Sequence, residues 1–472
     1  MRRKDAKNAD KKSPSPAEKV LTYLILFSLF LPGLLFLFGK RDVNYSKEPL
    51  SAFPEFELSD RFAPAFDRWW NEHFPLRSKL VTAHNKIMTL FSEKSAAERV
   101  ISGRGGWLYY EPTLDDYLHQ ATITPAQARN IARSFALMQE AAEEEGAKFL
   151  AVFVPNKATI YPEHMPRRFT PLNAPKNMDL LRAAMPEALY LDELLLREKS
   201  TAPDLLYHKE DSHWNLKGAK LGYEAVLRAL EQEALILPYD EWVMREDWKG
   251  DLANMLWPSY EKTEAQFELR DFEAHYVFSR PLRSKEDADI ESFNPAREGS
   301  GSMLIYRDSF ANAWIELFSE SFEHVYYSHS FPYRWSLTER LQPDYLVIEM
   351  VERNIPRYLS SIPPLQAPER PQPDVFETAD ALSCEIFCEE KNQAYFYRFR
   401  PDDQERAEDF ERCLLQDEAG IWREAFPVFA EAEPADDSAS YGFSLCSERP
   451  LKHEKIFIFS EEGCFEVPLL IE

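Results

Sequence analysis

From Val20 to Phe38 the chain reads VLTYLILFSLFLPGLLFLF, with no charged side chain and about the length a helix needs to cross the hydrocarbon core of a bilayer. A buried helix of a soluble domain would carry a polar stripe. A cleavable leader would have a shorter apolar run ending at small residues of the A-x-A kind. The run therefore reads as an uncleaved, single-pass signal anchor over 20–38. The basic segment before it, MRRKDAKNADKK, puts residues 1–19 in the cytoplasm and everything from residue 40 outside it. Lys40 and Arg41 weaken that asymmetry without reversing it.

The rest of the chain has room for more than one domain, with 44% hydrophobic residues among 472, enough for ordinary cores. Lys and Arg total 55 against 80 Asp and Glu, a formal charge of -25. That balance argues against nucleic acid and would repel an anionic polymer unless cations are concentrated locally. The five cysteines, Cys384, Cys388, Cys413, Cys446 and Cys464, all fall late in the chain. Their odd number leaves at least one unpaired in an oxidising compartment, and C-x3-C with no second pair is not a zinc ribbon. SGRGGWLYY at 102–110 lacks the G-K-[ST] ending of a phosphate loop, so no nucleotide cofactor is expected.

Beyond the anchor, FDRWWNEHFPLRSKLVTAHNKIMTLF has helical apolar spacing and is expected to pack its aromatic face on the main domain. Thr124, Pro125 and Gln127 form an N-cap, an N1 proline and a capping-box partner for a helix running to Glu145 and stopping at Gly146. The runs KFLAVFV, ALYLDEL, SMLIY, HVYYS and DYLVIEM read as short buried strands, with helices over Asn215–Glu231 and Phe310–Ser319 between them. Alternating strands and helices predict an α/β fold, a parallel sheet flanked by helices over 40–361, with ligands beyond the carboxyl ends of its strands. The proline-rich stretch 362–374 reads as a linker. Residues 375–472, strongly acidic and containing AYFYRFR, KIFIFS and CFEVPLLIE, read as a small β-rich domain whose aromatics are expected to fill its core, with sugar binding as the alternative.

The chemistry concentrates in YHKEDSHWNLKGAKLGYEAV at 207–226. As a metal site it would offer His208, Asp211 and His213, three N/O ligands with an open position, but the spacing matches no familiar zinc signature. As a base it needs a nucleophile, and SMLIYRDSFANAW ends a strand at Ser309 and opens a helix directly after it. A serine there stands at the carboxyl edge of the sheet, with its own N–H and the positive helix end near a developing oxyanion. Asp-x-His holds carboxylate and imidazole on one loop, so that Asp211 can bond one ring nitrogen of His213 while the other faces Ser309. Against this, Asp211 can equally cap the helix near Asn215, with His213 a surface residue.

DSHWNLKGAKLGYEAV, YRDSFANAW, VPNKATIYPEHMP, GDLANML and DYLVIEMVERNI, with FPLR and GRGGWLYY, together resemble the periplasmic alginate O-acetyltransferase proteins of the AlgJ/AlgX type. These have a permuted SGNH hydrolase-like domain, and the likeness runs over roughly residues 56–358. The resemblance implies Ser309 as nucleophile, His213 as base and Asp211 as its orienting carboxylate, with no metal. It implies an exported polysaccharide as acceptor and a membrane-bound acyltransferase partner as the source of acetyl groups. It also implies a domain in the periplasm, tethered to the inner membrane. Arg307 replaces the glycine that many SGNH proteins carry before Asp-Ser. Trp214, Arg307, Glu352 and Arg353 are the expected substrate contacts, with Trp214 alternatively a wedge for its loop and Glu352 and Arg353 alternatively a structural ion pair.

Overall fold

The computed structural model describes residues 15–38, 50–56, 61–91, 99–120, 122–361, 363–372, 377–378, 383–391, 394–430, 440–448, 450–451, 455–460 and 463–471. Residues 1–14 of the basic segment, Lys40, Arg41 and part of the 362–374 stretch lie outside them. The chain forms two compact units, one of residues up to 98 with 253–261, the other of 99–252 with 262–472.

In the first unit the apolar run forms a helix over Pro16–Phe38, none of whose membrane-length window is buried. The aromatic stretch after it is two helices, Phe62–His73 and Arg77–Phe91, separated by a turn in which Leu76 takes a positive φ of 62°. None of Phe62–His73 is buried. Its rings gather instead on Phe36 and Phe53 of their own unit. Asn85 Nδ2 donates to Leu256 O at 2.6 Å and Ser259 N to Thr82 Oγ1 at 3.0 Å, which is how a segment from mid-chain joins this unit.

The second unit is built on a seven-stranded sheet. Its order is Leu189–Tyr190, Lys148–Val154, Tyr345–Val351, Ser302–Tyr306, His324–Ser328, Asp289–Phe293 and Val277–Phe278. The first five run parallel and the last two join through antiparallel pairings, Asp289–Phe293 running against its neighbours on both sides, an edge that the strand and helix alternation did not foretell. Alternate residues of the central strands enter different cores. Val152, Val154, Met303 and Ile305 face the helix Leu216–Ala229 through Tyr223, Val226 and Leu227. Ala151, Phe153, Leu304 and Tyr306 face Pro125–Glu144 through Ile131, Phe135 and Met138. Burial on both faces is why these strands read as nearly continuous apolar runs.

Local sequence sets the helix ends. Thr124 and Gln127 form the reciprocal capping box, and Gly146, at φ +87°, allows the left-handed turn into the strand Lys148–Val154. ALYLDEL, by contrast, is strand only at Leu189–Tyr190, because a helix starts at Asp192 and buries Leu195.

The last quarter is a largely antiparallel nine-stranded sheet whose core holds Cys384, Tyr397, Phe399, Phe410, Cys413 and Phe443. None of the five cysteines is paired. This region is fastened to the α/β part through Glu424, which is fully buried and accepts from Arg133, Arg370 and Arg412. Within the described part of the 362–374 stretch Leu365 and Ala367 are buried, and Glu369–Arg370 pair with Trp422–Arg423.

Candidate active site

Three parallel strands end side by side, at Val154, Tyr306 and Val351, and the residues that follow each one meet. Arg307, Asp308 and Ser309 follow Tyr306. The backbone N–H of Asp308 donates to Glu349 Oε2 at 2.9 Å. The Asp308 carboxylate accepts from Phe310 N and Val351 N, each at 2.9 Å, and from Asn354 Nδ2 at 3.2 Å. With Arg307 in place of a glycine, these bonds fix the turn. The expected helix over 310–319 is replaced by a 3-10 turn, Phe310–Trp314, followed by an α-helix at Ile315–Ser321. The tighter winding buries Phe310, Ala311 and Trp314 together and lets Trp314 Nε1 donate to Ala219 O.

The 207–226 stretch meets this turn in one shared core, where Tyr207 and Trp214 pack with Phe310 and Trp314. His213 Nε2 lies 2.8 Å from Ser309 Oγ, and His213 Nδ1 lies 2.7 Å from Asp211 Oδ1. A carboxylate can only accept, so Nδ1 carries the proton and the neutral ring offers Nε2 to the serine hydroxyl. Asp211 Oδ1 also accepts from His213 N at 2.9 Å, and its Oδ2 accepts from Asp251 N at 3.0 Å and Trp248 Nε1 at 3.2 Å. The helix start is capped by Asn215, whose side chain accepts from Lys217 N and Gly218 N, so Asp211 is free of the capping role. Against the desolvation of full burial, the His213 hydrogen bond and charge hold the Asp211 carboxyl below its usual range. Burial likewise opposes protonation of His213, but the Asp211 hydrogen bond and the charges of Asp211 and Asp251 raise it overall.

Four residues unassigned from sequence complete the surroundings. Asp251 Oδ2 accepts from Ser212 Oγ at 2.6 Å and stands 3.7 Å from His213 Nδ1. It reaches this place because Gly250 lies against Glu210, whose carbonyl oxygen a Cβ would meet at 2.1 Å. Lys157 is buried under the loop and donates to the carbonyls of His208, Lys209 and Asp211, its ammonium pushed down to about 8 by burial. Glu349 and Asp308 brace the serine turn from below. Asp251 and Lys157 lie within GDLANML and VPNKATIYPEHMP, so the signal was present as motifs without roles.

Of the four expected substrate contacts, three are buried. Trp214 is 3% exposed; its indole donates to Phe310 O at 2.9 Å and its ring lies against Phe310 and Trp314, so it wedges the loop to the serine turn. Arg307, 3% exposed, bonds Asn312 and the carbonyls of Lys285 and Asp287. Glu352, 1% exposed, accepts from Asn156 N at 2.9 Å and Thr159 Oγ1 at 2.6 Å, with no ion pair to Arg353 among the described residues. Arg353 is the one of the four left partly open. Its guanidinium donates to Asn156 Oδ1 and lies over the rings of Phe310 and Tyr110. His208 stands apart from the other two residues of the alternative metal set, its ring stacked on Trp248 at 4.7 Å. Asp211, His213 and Asp251 instead bring ligating atoms within 4.8 Å of one another.

Burial and the charge of Asp116 push the Glu352 carboxyl up to about 8 from 4.5. Between those values the folded chain keeps a proton that the unfolded chain has released, so stability declines as pH rises through that window. Glu352→Gln is expected to flatten the decline, with a Tm at pH 8 at or above the parent's and a smaller difference at pH 5. An unchanged slope in scanning calorimetry would contradict this.

Residues 100–288 match the family described as "SGNH hydrolase-like domain, acetyltransferase AlgX". Over this region the chain is similar to the AlgJ/AlgX-like family. The matched region takes in Asp211, His213 and Asp251 and stops before Ser309. The probable alginate O-acetylase AlgJ of Pseudomonas syringae pv. tomato is 22% identical over 60% of this chain and 70% of its own length. That of Pseudomonas putida is 23% identical over 50% and 62%. Among solved structures, PatB1 of Bacillus cereus aligns with 54% of this chain and 96% of its own at 15% identity and a TM-score of 0.42.

Proposed function

We propose that this AlgJ/AlgX-like chain is a membrane-anchored O-acetyltransferase. It moves acetyl groups onto hydroxyls of an exported, alginate-like polysaccharide through an acetyl-Ser309 intermediate. The observation that carries this reading is the Ser309–His213–Asp211 line of contacts at the carboxyl edge of the sheet. His213 Nε2 takes the Ser309 proton as Oγ attacks the donor's acetyl carbonyl. It then passes that proton to the leaving group as the carbonyl-to-leaving-group bond breaks, which leaves an ester on Oγ. In the second half an acceptor hydroxyl gives its proton to Nε2 and attacks the ester, and the proton returns to Ser309. The Ser309 N–H is the oxyanion donor in both halves.

The donor in this reading is a membrane-bound acyltransferase partner, since cytoplasmic acetyl carriers do not reach a site outside the membrane. The basic residues before the apolar helix support an inner-membrane orientation with residues 1–19 inside, 20–38 spanning and the domains 40–361 and 375–472 in the periplasm. Arg353 supplies a local cation against a chain charge of -25, suited to a uronate carboxylate beside the reacting hydroxyl.

The test is product analysis with an activated acetyl ester and an oligosaccharide acceptor. Acetylated sugar is expected. Acetate alone would make the protein an esterase with the same site, and no turnover would favour a non-catalytic scaffold of an export complex.

A further inference from the structure

Helix Phe62–His73 places Phe62, Phe66, Trp69, Trp70 and His73 at positions that share one face, with Asp67, Arg68 and Asn71 opposite. The aromatic face buries none of its residues, yet it is tied to the apolar N-terminal helix. Phe36 stacks on Trp70 with ring centroids 4.5 Å apart and planes 12° apart, and it meets Trp69 at 5.4 Å. Phe53, 59% exposed, packs edge-on against Trp69 at 4.8 Å. Phe36 lies in the last turn of Pro16–Phe38, about 3 Å short of its end at ~1.5 Å per residue. If that helix crosses the bilayer, its end marks the edge of the hydrocarbon. The two tryptophans touching Phe36 are then held at that level, where indole rings concentrate because one part of the ring is apolar and the N–H can be hydrated.

We propose that Phe62–His73 lies in the membrane–water interface, with its aromatic face at the boundary between lipid headgroups and acyl chains and its charged face toward water. This rests on the reading of Pro16–Phe38 as a membrane span and adds a second lipid contact to the same unit. That unit would then be set against the bilayer at two points and not only tethered by one helix. Lipid is the occupant that the contacts favour over a protein partner, because the face continues directly from the end of the apolar helix.

The full chain in lipid nanodiscs can be photolabelled with two diazirine lipids, one reactive at mid-acyl depth and one next to the headgroup. The mid-acyl probe is expected to label residues 20–34. The headgroup-level probe is expected to label residues 62–74 at least about fivefold above peptides from 100–250. Mid-acyl labelling of 20–34 with headgroup-level labelling of 62–74 no higher than that background would overturn the interfacial helix alone. Absence of labelling in 20–34 would overturn the membrane span and, with it, the level at which the tryptophans are placed.

Discussion

Ser309→Ala is expected to abolish acetyl transfer, with a loss of about 10⁴-fold or more in kcat/KM, because removing the nucleophile leaves only binding and the oxyanion donor. The fold should survive the change. The only side-chain contact of the Ser309 hydroxyl among the described residues is with His213 Nε2, while Asp308, Glu349 and Trp214 hold the turn itself. Loss of one such contact at a partly exposed site costs about 1 kcal/mol or less, so Tm should move by only a few degrees. A variant that folds and still acetylates sugar would place the nucleophile elsewhere.

Asp211→Asn should be almost as damaging, about 10³- to 10⁴-fold, because the amide no longer fixes the tautomer or stabilises the imidazolium. It should also move the pH profile. Activity needs neutral His213, so kcat/KM rises as pH increases through the His213 pKa, which Asp211 and Asp251 together hold above its ordinary value. Losing the Asp211 charge lowers that pKa and shifts the acid limb to lower pH. Asp251→Asn should shift the limb in the same direction by less, with a rate loss of about tenfold, or ~1.4 kcal/mol. A rate loss in either variant with an unmoved limb would mean that the residue only supports the loop.

Much of the fold was legible because its signals are local. The capping box at Thr124 and the short runs KFLAVFV, SMLIY, HVYYS and DYLVIEM each encode their own structure, and they appear as a helix start and as neighbouring strands. The pairing of the Asp211–His213 loop with the Ser309 turn was also readable, since a strand that ends in a polar turn must present it at the carboxyl edge of a parallel sheet. Side-chain direction was not readable. Trp214, Arg307 and Glu352 are polar or aromatic residues in motif positions, which is equally the description of a substrate contact and of an internal brace; the structure turns all three inward. Asp251 stood in a recognisable motif, but its place beside His213 was illegible for a different reason. Its approach depends on the close packing of Gly250 against Glu210, forty residues earlier by the spacing of Asp211 and Asp251, and no local pattern reports such a contact. The mid-chain segment 253–261 joins the N-terminal unit for the same kind of reason, through bonds to Thr82 and Asn85.

The central claim is the covalent intermediate, and it can be trapped. The full chain, incubated with an activated acetyl ester and quenched in acid, is digested and its peptides weighed by mass spectrometry before and after an oligosaccharide acceptor is added. Expected is one acetyl group on Ser309 that disappears at the rate at which acetylated oligosaccharide forms. Acetylated sugar formed with Ser309 unmodified throughout, or equally fast by Ser309→Ala, would contradict it.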